Sequence, residues 1–125
     1  MSEKTIAAIA TPSGEGALGV IRISGENAIN TAAKIFFPFS GRSLADFEGY
    51  KAAYGEIKDG EAVLDDAVAL VFKAPHSFTG EDTVEISVHG GALMLKSVLR
   101  LILRSGAHLA EAGEFTKRAF LNGKL

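Results

Sequence analysis

A glycine-rich stretch near the N-terminus has the spacing of a well-known phosphate-binding loop. Gly14, Gly16 and Gly19 match G-x-G-x-x-G, with which dinucleotide-binding proteins cradle a pyrophosphate. That chemistry requires the glycine turn to open a helix, whose free N-terminal amides then point at the phosphates. Here the next residues, 20–24, read VIRIS, and β-branched residues favour a strand. The pattern therefore predicts a loop between two strands and argues against an NAD or FAD site.

Two charged residues interrupt apolar strand patterns. By the period of two, Arg22 lies on the face opposite Ile21 and Ile23, where it is either a solvated charge or part of a binding face. Glu85 stands in the middle of TVEISV, where a carboxylate calls for a partner or a wet surface. It either accepts two adjacent N–H groups of a heterocycle, such as a pterin or guanine edge, or forms a cross-strand salt bridge. The residues alone leave both alternatives open.

Other polar residues carry weaker signals. His89 precedes Gly90-Gly91 at a strand-to-helix turn, where free amides could hold an anion, but ordinary turn chemistry explains the sequence equally well. The three histidines lack metal-type spacing and there is no cysteine, so we expect no metal site and no catalytic cysteine. Gly123-Lys124 resembles the end of a P-loop without its upstream glycine or following Ser/Thr.

Basic side chains follow two predicted helices. Lys96, Arg100 and Arg104 form a stripe at spacings of four residues, which is either a solvated face or an RNA-phosphate contact. Lys117 and Arg118 lie on a short helix near the C-terminus. The whole chain has 13 basic and 15 acidic residues and a net charge of −2, which argues against a nucleic-acid binder.

The 125 residues are 47% hydrophobic, the composition of a single domain over 1–125. The apolar run at the N-terminus stops at Thr11-Pro12, too early for a signal peptide or a membrane span. We therefore expect a cytoplasmic protein without a membrane partner.

Periodicity and turn signals place these residues on an α+β fold with a mixed, largely antiparallel sheet and about three helices. Strands are predicted at 5–11, 18–24 and 83–89, together with a hairpin of 52–57 and 62–72 around Asp59-Gly60. Helices are predicted from Glu26 to just before Pro38, with Ser24 as the cap, and at 92–104 and 114–121.

Three stretches together resemble a known family. TIAAIATPSGEGALGVIRISG, FTGEDTVEISVHGG and EAGEFTKRAFLNGKL are similar to the hallmark segments of the N-terminal domain of the MnmE/TrmE family of tRNA modification GTPases. The resemblance runs from Thr5 to Leu125. Ser13 and Ala112 stand where the family usually has proline, which affects loop stiffness more than chemistry.

The resemblance implies a homodimerising, folate-binding domain similar to those of the glycine-cleavage T-protein group. Its ligand would be 5-formyltetrahydrofolate or methylenetetrahydrofolate. The positions that match the family's folate contacts are Arg22, Glu85 and Lys124. Glu85 would meet the amino-pyrimidine edge of the pterin, and the two cations would meet other groups of the ligand.

Full-length members of the family continue into helical and GTPase domains that use GTP, Mg²⁺ and K⁺. With the FAD-dependent partner MnmG they add a carboxymethylaminomethyl group to the wobble uridine of certain tRNAs. This chain has no GTP-binding loop and ends inside the third motif, so we expect a piece of a longer protein that binds folate and dimerises without catalysis. The alternative function is an RNA-contacting or purely structural assembly domain.

Overall fold

A computed structural model describes residues 4–11 and 19–125, which form one sheet with helices packed against it. The order of strands and helices along the chain shows no regular βαβ alternation, which confirms the predicted α+β class. The strands are β1 Ile6–Ile9, β2 Gly19–Ser24, β3 Phe36–Pro38, β4 Lys51–Asp59, β5 Ala62–Phe72, β6 Thr83–Val88 and β7 His108–Leu109; the helices are α1 Ala28–Ala33, α2 Gly91–Arg104 and α3 Glu114–Leu121, with a 3₁₀ turn at Leu44–Asp46.

The strand order across the sheet is β3-β4-β5-β6-β2-β1-β7. Every pairing is antiparallel except that of β1 with β7, so the sheet is mixed and largely antiparallel, as predicted. The hairpin of β4 and β5 turns at Gly60, whose φ of 63° is a left-handed angle that glycine adopts without strain. The register of β2 and β6 sets Arg22 directly opposite Glu85.

One face of the sheet supplies the core. Alternate residues of the central strands are fully buried there, and α1 and α2 pack over them. From the sheet they include Ile21, Ile23, Ala67, Ala69, Val71, Val84, Ile86 and Val88, and from α2 Val98 and Ile102. Because side chains alternate along a strand, Arg22 and Glu85 project from the opposite face, as the period of two predicts.

That opposite face carries exposed apolar side chains over β3, β4 and β5. Phe37, Tyr54, Val68 and Leu70 are 41%, 55%, 36% and 36% exposed, and we call this group the open face. The register pairs Tyr54 with Val68 across β4 and β5, whereas Phe37 lies opposite Glu56.

The first predicted helix is wrong at its C-terminal end. Helix α1 ends at Ala33, and Phe36–Pro38 forms β3 at the edge of the sheet instead. Phe36 pairs with Ile57 and is 1% exposed, so pairing with β4 overrides the helical spacing of the apolar residues. Pro38 lacks an N–H donor and is compatible with an edge strand.

The predicted helix cap is also wrong. Asn27 occupies the N-cap of α1 and makes no side-chain cap hydrogen bond. The Ser24 hydroxyl instead lies 2.7 Å from Thr79 Oγ1 and donates to Glu81 Oε1 at 2.7 Å. It therefore joins β2 to the loop before β6.

The predictions for the later helices and for the strand after the glycine pattern are confirmed. Helix α2 begins at Gly91 and α3 covers Glu114–Leu121. Gly19 opens β2, while Gly14 and Gly16 lie outside the described residues. A strand follows where a dinucleotide site needs a helix. Within 4–11 and 19–125, no helix has the length and apolarity needed to cross a membrane.

Candidate functional site: a cavity beside a cross-strand ion pair

An ion pair between β2 and β6 lies at the centre of the candidate site. Arg22 Nε donates to Glu85 Oε2 at 2.8 Å, and each side chain is 23% exposed. Arg22 is therefore a paired charge, and the cross-strand salt bridge left open for Glu85 is present. Among the described residues, Glu85 Oε1 has no hydrogen-bond partner. The pair thus fixes the carboxylate and leaves one of its oxygens available.

Two aromatic rings hold the guanidinium of Arg22. Its Cζ lies 5.1 Å from the ring centroid of Phe78 and 5.2 Å from that of Phe115. Phe78 comes from the loop before β6 and Phe115 from the first turn of α3. A cation over an aromatic face gains about 0.5–2 kcal/mol, depending on how far it is desolvated. These contacts join three segments that are distant in sequence.

Glu85 and Lys124 line one cavity. Its volume is about 400 Å³, within the range of cavities that bind small molecules. Besides the carboxylate and the ammonium group, its wall is largely aromatic and consists of Tyr50, Phe72, His76, Ser77, Phe78 and Thr83. It combines a fixed acceptor, a cation and flat apolar surfaces, which suits a planar polar ring with an anionic substituent.

Arg22 lines a second cavity of about 410 Å³, which shares Phe78 with the first. The segment 110–116, which includes Phe115, forms much of its wall. The structure thus brings Glu85 and Lys124 into one cavity and Arg22 into the next, and the Arg22–Glu85 ion pair connects the two.

Tyr50 has an unusual backbone. Its φ is 63°, and it is the one non-glycine residue with positive φ among 4–11 and 19–125. The left-handed conformation costs an L-residue about 1–2 kcal/mol. The N–H of Tyr50 donates to the carbonyl oxygen of Val71 at 2.8 Å, which fixes the residue at the start of β4.

A buried polar network lies behind the cavity. Arg118 is 3% exposed and donates from Nη1 to Glu81 Oε1 and Oε2 at 3.2 and 3.1 Å. From Nη2 it donates to Glu114 at 3.0 Å. Asn122 Nδ2 donates to the Thr79 carbonyl oxygen at 2.8 Å. The network ties the loop that bears Phe78 to the segment that bears Lys124.

Sequence reasoning missed this network and the aromatic wall. The sequence indicates Arg118 only as a basic residue on a short helix. One signal was present, because Glu114 and Arg118 stand four residues apart on a helix, the spacing of a favourable ion pair. Phe78, Phe115 and Tyr50 gave no comparable signal, since their partners come from other parts of the chain.

The other polar residues singled out from the sequence are accounted for by contacts or exposure elsewhere in the fold. The His89 N–H donates to Asp65 Oδ2 at 2.8 Å, and its ring Nδ1 lies 3.0 Å from the Asp66 carbonyl oxygen, so both groups of His89 contact the neighbouring strand β5. Lys96 and Arg100 are exposed on α2, and Arg104 pairs with Asp59 at 3.1 Å. Within the described residues, no group of three or more His, Asp or Glu side chains is arranged to hold a metal ion.

Comparisons with known proteins agree on one family. The family model described as GTP-binding protein TrmE N-terminus matches residues 5–124. A tRNA modification GTPase MnmE of Clostridioides difficile is 50% identical over 98% of this chain and 27% of its own length. Proteins of the same name from Symbiobacterium thermophilum and Moorella thermoacetica are each 52% identical over 100% of this chain and 28% of theirs. The chain thus spans just over a quarter of the length of these relatives.

Proposed function

The chain belongs to the family of GTP-binding protein TrmE N-termini, and on that premise we propose that it binds a reduced one-carbon folate in the cavity of Glu85 and Lys124. The observation that carries the proposal is the carboxylate of Glu85, held by Arg22 at 2.8 Å at the wall of a cavity of about 400 Å³. The ligand is 5-formyltetrahydrofolate or methylenetetrahydrofolate.

The proposed contacts follow from the donors and acceptors of each group. The amino-pyrimidine edge of a pterin presents adjacent N–H donors, and Glu85 Oε1 is an acceptor with no partner among the described residues. Hydrogen bonds to an ionised acceptor are among the stronger ones in proteins. Lys124 in the same cavity and Arg22 in the adjoining one are the cations available to the carbonyl and carboxylate groups of the ligand.

Titration with 5-formyltetrahydrofolate tests the proposal. Glu85→Gln should weaken binding by about 1.5–3 kcal/mol, or roughly 10- to 150-fold, because a charge-assisted hydrogen bond is lost. Glu56→Gln is a matched control: Glu56 lies on β4, outside both cavities, and its carboxylate is 3.9 Å from Lys58 Nζ. Equal affinity of the Glu85 and Glu56 variants would overturn the assignment of Glu85 to the pterin edge.

We also propose that two copies of the chain dimerise through the open face. Phe37, Tyr54, Val68 and Leu70 are exposed apolar side chains on one face of the sheet, and apolar surfaces of this kind mark interaction sites when they exceed a few hundred Å². A two-fold dimer requires a surface that is complementary to itself, and a flat apolar sheet face meets that requirement.

The dimer is tested by the mass in solution, measured by light scattering. Val68→Lys should convert the dimer to a monomer, since a lysine would be buried without a partner in the interface. Leu93→Lys is the control, because Leu93 is 81% exposed on α2 and lies outside the open face. A monomeric parent chain, or a dimeric Val68→Lys variant, would contradict the proposed interface.

Within a longer protein, we propose that the domain supplies the folate one-carbon unit for tRNA modification. The relatives of the same name are tRNA modification GTPases. In the proposed scheme, the GTPase acts in the cytoplasm with the FAD-dependent partner MnmG to add a carboxymethylaminomethyl group at the wobble uridine. GTP, Mg²⁺ and K⁺ belong to its GTPase domain.

A further inference from the structure

Tyr50 combines an unfavourable backbone with an exposed side chain at the cavity. Its φ of 63° lies in the left-handed region, which a bulky L-residue rarely adopts. The neighbouring residue Gly49 is a glycine, yet the left-handed φ belongs to Tyr50. Its side chain is 65% exposed, so core packing does not account for an aromatic residue at this position. Conformations of this kind cluster at ligand-binding and active sites, so the contacts of the Tyr50 ring are of interest.

The ring of Tyr50 is held by two other rings of the same cavity. Its centroid is 6.3 Å from that of Phe72 at an interplanar angle of 87°, and 6.0 Å from that of His76 at 45°. All three residues line the cavity together with Glu85 and Lys124. Tyr50 thus presents a braced and largely uncovered aromatic surface in the cavity whose acceptor is Glu85.

We propose that Tyr50 is a stacking residue that packs against the face of the ligand's heterocycle while Glu85 binds its edge. A planar ring with in-plane donors is recognised by this combination, because stacking uses its faces and hydrogen bonding uses its rim. The inference rests on the proposed folate site. In it, Tyr50 contacts the pterin-type ring of the ligand and not its aminobenzoyl or glutamate part, so Tyr50 contributes to selection for that ring.

The left-handed backbone allows a test that separates binding from folding. Glycine adopts a φ of 63° without steric strain, and asparagine is enriched in this region, so Tyr50→Gly and Tyr50→Asn should both fold. Tyr50→Phe retains the ring. Phe120→Ala removes an aromatic side chain that is 67% exposed on α3 and outside the cavity, and serves as the control.

The probes are 5-formyltetrahydrofolate, 6-methyltetrahydropterin as the ring alone, and p-aminobenzoylglutamate as the tail alone, each titrated by calorimetry. The Gly and Asn variants should lose about 10-fold or more in affinity for the first two probes, as expected for a lost stacking contact. The Phe variant and the Phe120→Ala control should stay within about twofold of the parent chain.

Three outcomes would overturn the inference, and only the third would also overturn the folate site. Parent-like affinity of both the Gly and Asn variants for 5-formyltetrahydrofolate would remove Tyr50 from the site and leave the proposed function standing. A loss of affinity confined to the probes that contain the aminobenzoylglutamate tail would show that Tyr50 contacts the tail and not the heterocycle. Absence of binding by the parent chain would overturn the folate site and the inference together.

Discussion

The burial of Arg118 predicts that its ion pairs stabilise the fold far more than a surface ion pair does. The Arg118 side chain is 4% exposed and shares hydrogen bonds with Glu81 and Glu114. Arg104 makes a geometrically similar contact with Asp59 at 3.1 Å, but its side chain is 59% exposed. Both arginines stand in the last turn of a helix, so Arg118→Ala and Arg104→Ala form a matched pair.

The two variants should differ by several kcal/mol. Removing one partner of a buried ion pair lowers the free energy of unfolding by about 3–5 kcal/mol, because the remaining charges lose their compensation. An exposed pair contributes about 0–1 kcal/mol, since water already solvates both groups. Against a total stability of about 5–15 kcal/mol, only the Arg118 variant should approach unfolding at room temperature.

Urea denaturation measures the difference. With a slope near 2 kcal/mol/M, a loss of 3–5 kcal/mol lowers the midpoint by roughly 1.5–2.5 M, and the Arg104 variant should shift by less than about 0.5 M. Arg118→Met retains the aliphatic stem and separates lost packing from lost hydrogen bonds; it should recover only a minor part of the stability. Midpoints of the two alanine variants that agree within about 0.3 M would refute the reasoning.

Four further substitutions test individual contacts. Gly55→Ala would place a Cβ against the backbone of β3 and should lower the free energy of unfolding by more than about 2 kcal/mol. Gly60 lies in open space at a φ of 63°, so Gly60→Asn should change the free energy of unfolding by less than about 1 kcal/mol. Gly80→Ala would bring a Cβ to 2.9 Å from Asn122 Cβ at a φ of 83°, so both stability and affinity for 5-formyltetrahydrofolate should fall. Phe115→Leu removes one ring from Arg22 and should lower the unfolding free energy, measured in urea, by about 0.5–2 kcal/mol; an unchanged midpoint would contradict the cation–π contact.

The sequence was sufficient for the long elements and insufficient for a short one. Strands β2, β5 and β6 were predictable because one face of each is buried, which imposes alternation on the residues. Strand β3 was not, since three residues carry no period and their conformation depends on pairing with β4. The apolar residues there have a helical spacing, but pairing at the edge of the sheet stabilises the strand conformation instead of the helix.

The candidate site was predictable only where a residue contradicted its own local pattern. Arg22 and Glu85 interrupt apolar strands, so each could be singled out alone, and the register then showed them to be partners 63 residues apart. Phe78, Phe115 and Tyr50 do not contradict any local pattern, because aromatic residues are common in loops, helices and strand ends. Their roles depend on distances between segments that only the folded chain defines.

The connection between the ion pair and the cavity bears on how a ligand would bind. Arg22 occupies one oxygen of Glu85, so a heterocycle at the other oxygen leaves the ion pair intact. Binding then avoids the penalty of separating two partly buried charges, which would otherwise reduce affinity. Phe78 and Phe115 hold the Arg22 guanidinium in the position in which it binds Glu85. Arg118 and Asn122 in turn hold the loop that carries Phe78 and the C-terminal segment that carries Lys124. Weakening the Arg118 network should therefore reduce affinity for 5-formyltetrahydrofolate even though Arg118 lines neither cavity, and a folded Arg118→Met variant with parent-like affinity would show that the network serves stability alone.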